Sequence, residues 1–148
     1  MLTVDTNVLV YSFDDREAGR QAAAREIIRA LRDRNAPIGL QVIGESYRVL
    51  TGKLRLPRPD VAAALGGLAR TWPVFASDVA TTCRALAEAA AGHLSFWDAS
   101  LVAAAEAAGC THIFSEDMGD GFRLGRLEVV HPFSGEGLSP RARALLDL

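Results

Sequence analysis

Apolar and polar residues follow one another along this chain in blocks that switch between strand-like and helix-like periods. Leu2 to Asp5 is a short apolar entry closed by a carboxylate, and the apolar run resumes at Val8 to Tyr11 after Thr6 and Asn7, which predicts a strand turning into a helix. From Arg16 to Arg34, Ala23, Ile27, Ile28 and Leu31 recur among charges at the spacing of an amphipathic helix. Asn35, Ala36 and Pro37 end it. A short Ile38 to Leu40 segment precedes an apolar stripe of Ile43, Tyr47, Leu50 and Leu54, a further helix closed by Pro57 and Pro59. Asp60 is placed to cap the next helix, which runs through Arg70. Pro73 to Ala76 reads as a brief strand, and Ser77 as the N-cap of an alanine-rich helix from Asp78 to Ala91 that Gly92 stops. Another helix runs from Phe96 to Ala108 and ends at Gly109, directly before a strand at Thr111 to Ser115; Leu127 to Val130 is the last strand.

Strands separated by helices pair in parallel through crossovers, so the pattern predicts an α/β fold, a three-layer α/β/α sandwich with a mostly parallel central sheet. The 148 residues suit one domain. Its expected extent is residues 1–133, with residues 134–148 as a C-terminal tail, because Gly135, Gly137 and Pro140 precede only a short helical pattern at Ala142 to Leu146. Hydrophobic residues at 49% and charged residues at 23% exclude a disordered chain. No stretch nears the ~18 apolar residues of a membrane span, and the start lacks a secretory signal, so the expectation is a cytoplasmic protein without a membrane. Cys83 and Cys110 form no CxxC spacing and read as two buried thiols rather than as a disulfide or a zinc site.

In an open parallel sheet, ligands sit beyond the carboxyl ends of the strands, which directs attention to Asp5 and Asp117. Each also has a plain structural reading, Asp5 as a helix cap and Asp117 as a turn acid beside Gly119 and Gly121. Asp98 completes the S-x-x-D capping pattern of Ser95, yet it lies amid the apolar face of Leu101, Val102 and Ala105. A carboxylate turned toward a sheet is costly unless paired or bound to a cation. Glu45 lies about 200° from the Ile43 stripe, beside only Val42 and Val49, and by periodicity is a surface glutamate. Carboxylates converging on a sheet edge, without a histidine or cysteine set, favour Mg²⁺ or Mn²⁺ over zinc. His93, His112 and His131 are too scattered for a local motif. A divalent ion lowers the pKa of a water nucleophile and neutralises phosphodiester charge, so phosphodiester hydrolysis is the natural chemistry.

Four segments carry a resemblance in order and spacing: Met1-Leu-Thr-Val-Asp-Thr-Asn-Val-Leu-Val10, Gln41-Val-Ile-Gly-Glu-Ser-Tyr-Arg-Val-Leu-Thr51, Ser95-Phe-Trp-Asp-Ala-Ser100 and Phe114-Ser-Glu-Asp-Met118. Over roughly residues 1–133 the chain resembles PIN-domain proteins, in particular VapC-type toxin ribonucleases. The resemblance implies that Asp5, Glu45, Asp98 and Asp117 form an acidic quartet. Asp5, Asp98 and Asp117 would ligate the metal and Glu45 would act in part through water. Asn7 and Ser115 would line the same pocket, where capping and strand-end hydrogen bonding account for them equally well, and Asp120 would add or replace a ligand. It further implies a Mg²⁺ or Mn²⁺ cofactor, an RNA substrate, a homodimer, and a small antitoxin protein that occupies the groove. The quartet role of Glu45 rests on the resemblance alone.

A net charge of −2 gives no global basic field, so RNA contact requires a local patch. Arg48, Lys53, Arg55 and Arg58 follow Glu45, and Arg123 and Arg126 follow Asp117; either group also suits a solvated basic face. Aromatic residues at 7% give no support to a base-stacking platform, which leaves RNA shape as the selector. The rival classes are a non-catalytic PIN-like interaction module, which retention of all four acids opposes, and a phosphotransfer protein, in which Asn7 stands where a second Asp belongs. Gly52-Lys53 lacks the flanking residues of a phosphate loop.

Overall fold

The parallel strands of the central sheet all deliver their chain at the same sheet edge, and this places the acids at their ends. The computed structural model describes every residue except Glu136. In chain order the elements are β1 (Leu2–Val4), α1 (Thr6–Tyr11), α2 (Ala18–Asp33), β2 (Ile38–Gly39), α3 (Leu40–Gly52), α4 (Arg58–Thr71), β3 (Val74–Phe75) and α5 (Val79–Ala90). These lead into α6 (Phe96–Ala107), β4 (His112–Phe114), β5 (Arg123–Leu124), β6 (Leu127–Val130), β7 (Phe133–Ser134), β8 (Gly137–Leu138) and α7 (Pro140–Leu146).

The central sheet runs β1-β4-β6-β5. β1 and β4 are parallel with Val4 opposite Phe114, β4 and β6 are parallel with Phe114 opposite Val130, and β5 returns antiparallel on β6. A second parallel pair, β2 with β3, is tied to β1 where the Thr3 hydroxyl donates to the Pro37 carbonyl at 2.8 Å. The expected three-layer, mostly parallel α/β/α architecture is what forms. Val4, Ile113, Phe114, Val129 and Val130 are fully buried, as strands covered on both faces require. α6 is buried from Ala99 to Ala105 without interruption, and its run of alanines lets α5 and the sheet approach closely on opposite sides. Gly39 marks a close approach of β2 to α6, because a Cβ there would stand 3.0 Å from Leu101 Cδ1 and 3.2 Å from the Phe75 ring.

Several local expectations change. The chain does not end its strands at Val130: β7 and β8 form an antiparallel hairpin, and Leu138, Ala142 and Leu146 beyond it are buried in the same core as the sheet. Asp78 rather than Ser77 caps α5, because Asp78 and Thr81 exchange two 2.8 Å hydrogen bonds in a capping box while the Ser77 hydroxyl meets that of Ser100. Asp60 lies inside the first turn of α4, which starts at Arg58 with a proline early in that turn. Cys110 is buried as expected, but Cys83 is exposed because α5 packs on one side only. Among the described residues no helix is long and apolar enough to cross a membrane.

Candidate active site

The packing of α3 places Glu45 where its spacing does not predict it. The buried positions of the helix are Val42, Ser46 and Leu50, whereas Tyr47 of the expected stripe is exposed. The core-facing side is therefore rotated, and Glu45 becomes half-buried next to α1 rather than solvated. Gln41 Nε2 donates to Glu45 Oε1 at 2.8 Å, and the Thr6 hydroxyl donates to Oε2 at 3.2 Å. Gln41 also donates to the Trp97 carbonyl at 2.9 Å, which ties the Glu45 helix to the first turn of α6, where Asp98 stands.

Asp5 takes the capping role that its plain structural reading gives it, and its second oxygen faces Ser115 and Asn7. As N-cap of α1 it accepts from the Thr6 amide at 2.6 Å through Oδ1. Its other oxygen accepts from the Ser115 hydroxyl at 2.7 Å and from Asn7 Nδ2 at 3.1 Å. Asn7 Nδ2 also donates to Asp117 Oδ2 at 3.1 Å, so a single amide links the carboxylates from the ends of β1 and β4. Asp5 is buried, and that burial pushes its pKa up to about 6; the like charges of Asp98 and Asp117 add to the rise, and the bonds from Ser115 and Thr6 oppose it. Asp98 is half-buried and is held by its cap, accepting from the Ser95 hydroxyl at 2.7 Å.

Asp5, Glu45, Asp98 and Asp117 line one cavity of about 370 Å³, together with Asn7 and Tyr11. Its rim carries Arg16, Arg48 and Lys53. A larger cavity of about 530 Å³ between α2 and the C-terminal segment brings Arg25, Arg29 and Arg143 together, with Glu26 as the sole acid among its described lining residues. The chemistry therefore concentrates in the smaller one. Four carboxylates at one opening, one of them resisting ionisation, suit a hard cation by charge and by donor type. Among the described residues no three Asp, Glu, His or Cys side chains close around a single point.

Residues 2–122 match the family model of the PIN domain. The chain belongs to the PIN domain family. The crystal structure of Mycobacterium tuberculosis VapC20, a sarcin-ricin loop cleaving toxin, superposes on 79% of this chain and 92% of its own with a TM-score of 0.61 at 20% identity, a likeness of fold. Comparison with curated protein sequences finds no significant match.

In this PIN domain the remaining candidates divide into two groups. Ser115 is buried behind Asp5 and serves it as a donor, with the Asp117 and Met118 amides both donating to its hydroxyl at 3.3 Å. Arg48 and Lys53 stand on the rim of the PIN-domain cavity, whereas Arg55, Arg58 and Asp120 do not line it. Asp120 instead accepts from the His131 amide at 2.9 Å. Of the second basic group, Arg123 pairs with Glu128, and Arg126 follows Gly125 in the β5–β6 turn. Spacing gave no notice of Arg16, Gln41 or Thr6. The Asp14-x-Arg16 pair, closed at 2.6 Å, is a local signal for Arg16, and the i,i+4 spacing to Glu45 is one for Gln41.

Proposed function

We propose that this PIN-domain protein is a Mg²⁺- or Mn²⁺-dependent endoribonuclease of the VapC toxin type. The observation that carries the reading is the convergence of Asp5, Glu45, Asp98 and Asp117, from four separate segments, on one cavity with a cationic rim. VapC20, which shares the fold, is an RNA-cleaving toxin of the sarcin-ricin loop, and that supports RNA as the substrate class here. The bound ion would supply an activated water and neutralise charge on the scissile phosphate. Asp5, Asp98 and Asp117 would hold it, and Glu45 would act in part through water.

The protein's own groups prepare the site. Asn7 keeps the Asp5 and Asp117 oxygens directed to one place, while Gln41 and Thr6 fix Glu45 and Ser95 fixes Asp98. An acidic cavity repels a polyanion, and Arg48 and Lys53, with Arg16 beside them, counter this by meeting the phosphates flanking the cleaved bond. The partners that go with this reading are a small antitoxin protein and a second copy of the chain, in the cytoplasm, and the catalytic unit spans residues 1–133.

Cleavage of end-labelled small RNA tests it, using purified protein with Mg²⁺ or Mn²⁺, with EDTA, and with Asp5→Asn and Asp98→Asn variants. Discrete fragments lost in EDTA and in both variants are expected. Folded protein that neither cleaves RNA nor binds a divalent ion would overturn the reading in favour of a non-catalytic interaction module.

A further inference from the structure

Behind the cavity, Arg20 of α2 joins three parts of the chain. Its Nη1 donates to the two Glu116 carboxylate oxygens at 2.5 and 2.7 Å, and the Tyr11 hydroxyl donates to the same carboxylate at 2.9 Å. The guanidinium lies 5.1 Å from the centre of the Tyr11 ring and 5.2 Å from that of Phe133, and these two rings meet edge to face at 5.6 Å. Both aromatic contacts and the carboxylate contact draw on the planar, delocalised guanidinium, a combination lysine cannot reproduce.

Glu116 lies between Ser115 and Asp117. Its backbone amide donates to Asn7 Oδ1 at 3.4 Å, and the other end of the Asn7 amide holds Asp5 and Asp117. Elsewhere in this turn the Asp117 and Met118 amides donate to the Ser115 hydroxyl at 3.3 Å, that hydroxyl donates to Asp5 at 2.7 Å, and the Met118 carbonyl meets His131 Nε2 at 2.7 Å. Ser115 and Met118 are thus held by bonds to Asp5 and His131, while Glu116 between them is held by the charge-assisted bonds at 2.5 to 2.9 Å from Arg20 and Tyr11, which outweigh the neutral bonds at 3.3 to 3.4 Å and give the Arg20 pair a share in placing the turn.

We propose that Arg20 is a positioning residue for the carboxylate site, setting Asp117 through Glu116 and Asn7, and that Phe133 extends this support beyond the residues matched by the PIN domain model. A physical chain runs from Phe133 through Arg20, Glu116 and Asn7 to Asp5 and Asp117. The inference rests on the nuclease reading only in taking Asp117 to serve a bound cation. Arg20 itself lies outside the set of residues lining the cavity.

The test uses the full chain as Arg20→Met, Arg20→Lys, Glu116→Gln and Phe133→Leu variants. Three quantities are read for each: Mn²⁺ affinity by calorimetry without RNA, amide exchange by segment, and melting temperature. Arg20→Met is expected to weaken Mn²⁺ binding by about tenfold, the usual effect of removing an outer partner of a metal site. Arg20→Lys should recover part of this and Glu116→Gln should lose a similar amount, with faster exchange confined to residues 115–118. If Arg20→Met or the milder Glu116→Gln lowers the melting temperature while Mn²⁺ affinity and local exchange stay at wild-type values, the role is structural only and the proposal is overturned. Wild-type protein that binds no Mn²⁺ would count against the nuclease reading alone. Exchange then decides Arg20 by itself: a change confined to 115–118 upholds the positioning role, and an unchanged turn overturns it.

Discussion

Asp5→Asn should stabilise the protein at neutral pH while abolishing the proposed RNA cleavage. Asp5 has a pKa of about 6 in the fold against 3.8 in the unfolded chain, so over that interval the native state binds more protons than the unfolded one. Unfolding free energy contributed by this group is therefore fully present below pH 3.8, falls as pH rises, and is lost above about 6. A gap of about two units corresponds to about 3 kcal/mol of penalty at pH 7. Asparagine carries no charge to desolvate and still offers an oxygen to the Thr6 amide, but its NH₂ group faces the Ser115 and Asn7 donors and forfeits about 1 kcal/mol per disrupted bond. The net gain is about 1–2 kcal/mol at pH 7, or a rise of about 3–6 °C in melting temperature. Asp14, Asp78, Glu106 and Glu128 have lowered pKa values, held down chiefly by Arg16, Thr81, Arg84 and Arg141, and their contributions are lost as pH falls. Wild type alone thus mixes opposite slopes, whereas the difference between variant and wild type isolates Asp5. Urea unfolding in EDTA between pH 4 and pH 7.5 should show the variant's advantage growing with pH. A difference that is flat with pH, or a variant less stable at pH 7, would refute the assignment of Asp5 as a buried, like-charge-burdened carboxylate.

Three other outcomes follow from packing and exposure. Ser46→Ala removes a fully buried hydroxyl that has no hydrogen-bond partner among the described residues, and should raise stability by about 1 kcal/mol in urea unfolding; a loss of that size would mean the hydroxyl is satisfied in solution. Gly39→Ala suits the backbone, whose φ is −70°, but drives a Cβ to 3.0 Å from Leu101, so a loss of about 1–3 kcal/mol is expected, and an unchanged melting temperature would show that α6 yields freely. An aromatic disulfide reagent should label one thiol of the native protein, Cys83, and reach Cys110 only on unfolding, since burial shields Cys110 and pushes its pKa up to about 11.

The parts of the fold legible in sequence are those in which one local rule decides. Proline and glycine mark the ends of α2 and α6, and the order of strands and helices was enough to specify parallel pairing of β1, β4 and β6. Asp5 and Asp98 were legible because strand ends and an apolar helix face each make a carboxylate conspicuous. Glu45 was not, because α3 contains apolar residues on nearly every side and its phase is set by packing rather than by its own pattern. Val42, Ser46 and Leu50 turn inward once α1 and α4 contact the helix, and a serine in that set lends no weight to a hydrophobic count. The C-terminal segment was harder still. Leu138, Ala142 and Leu146 show their core role only after the hairpin of β7 and β8 folds them back onto the domain.

Local rules also fail for the supports of the site, and the failure has a physical pattern. Arg20 and Glu116 lie 96 positions apart, and in sequence each is an ordinary charge on a helix or beside a turn. What gives them a role is that Asp5 and Asp117 must be kept near one another against their mutual repulsion, which adds to the rise that burial causes in the pKa of Asp5. Asn7 bridges the two oxygens directly, but an amide with long contacts on its other side fixes a position only if the turn behind it is rigid. Rigidity comes from the half-buried ion pair and the two rings around Arg20, which no cation needs to touch. The acids can therefore be identified by where the strands end, while their usable geometry depends on residues recruited from α2 and from beyond β6. A domain reduced to its recognisable motifs would keep the four carboxylates and lose part of what holds them in register.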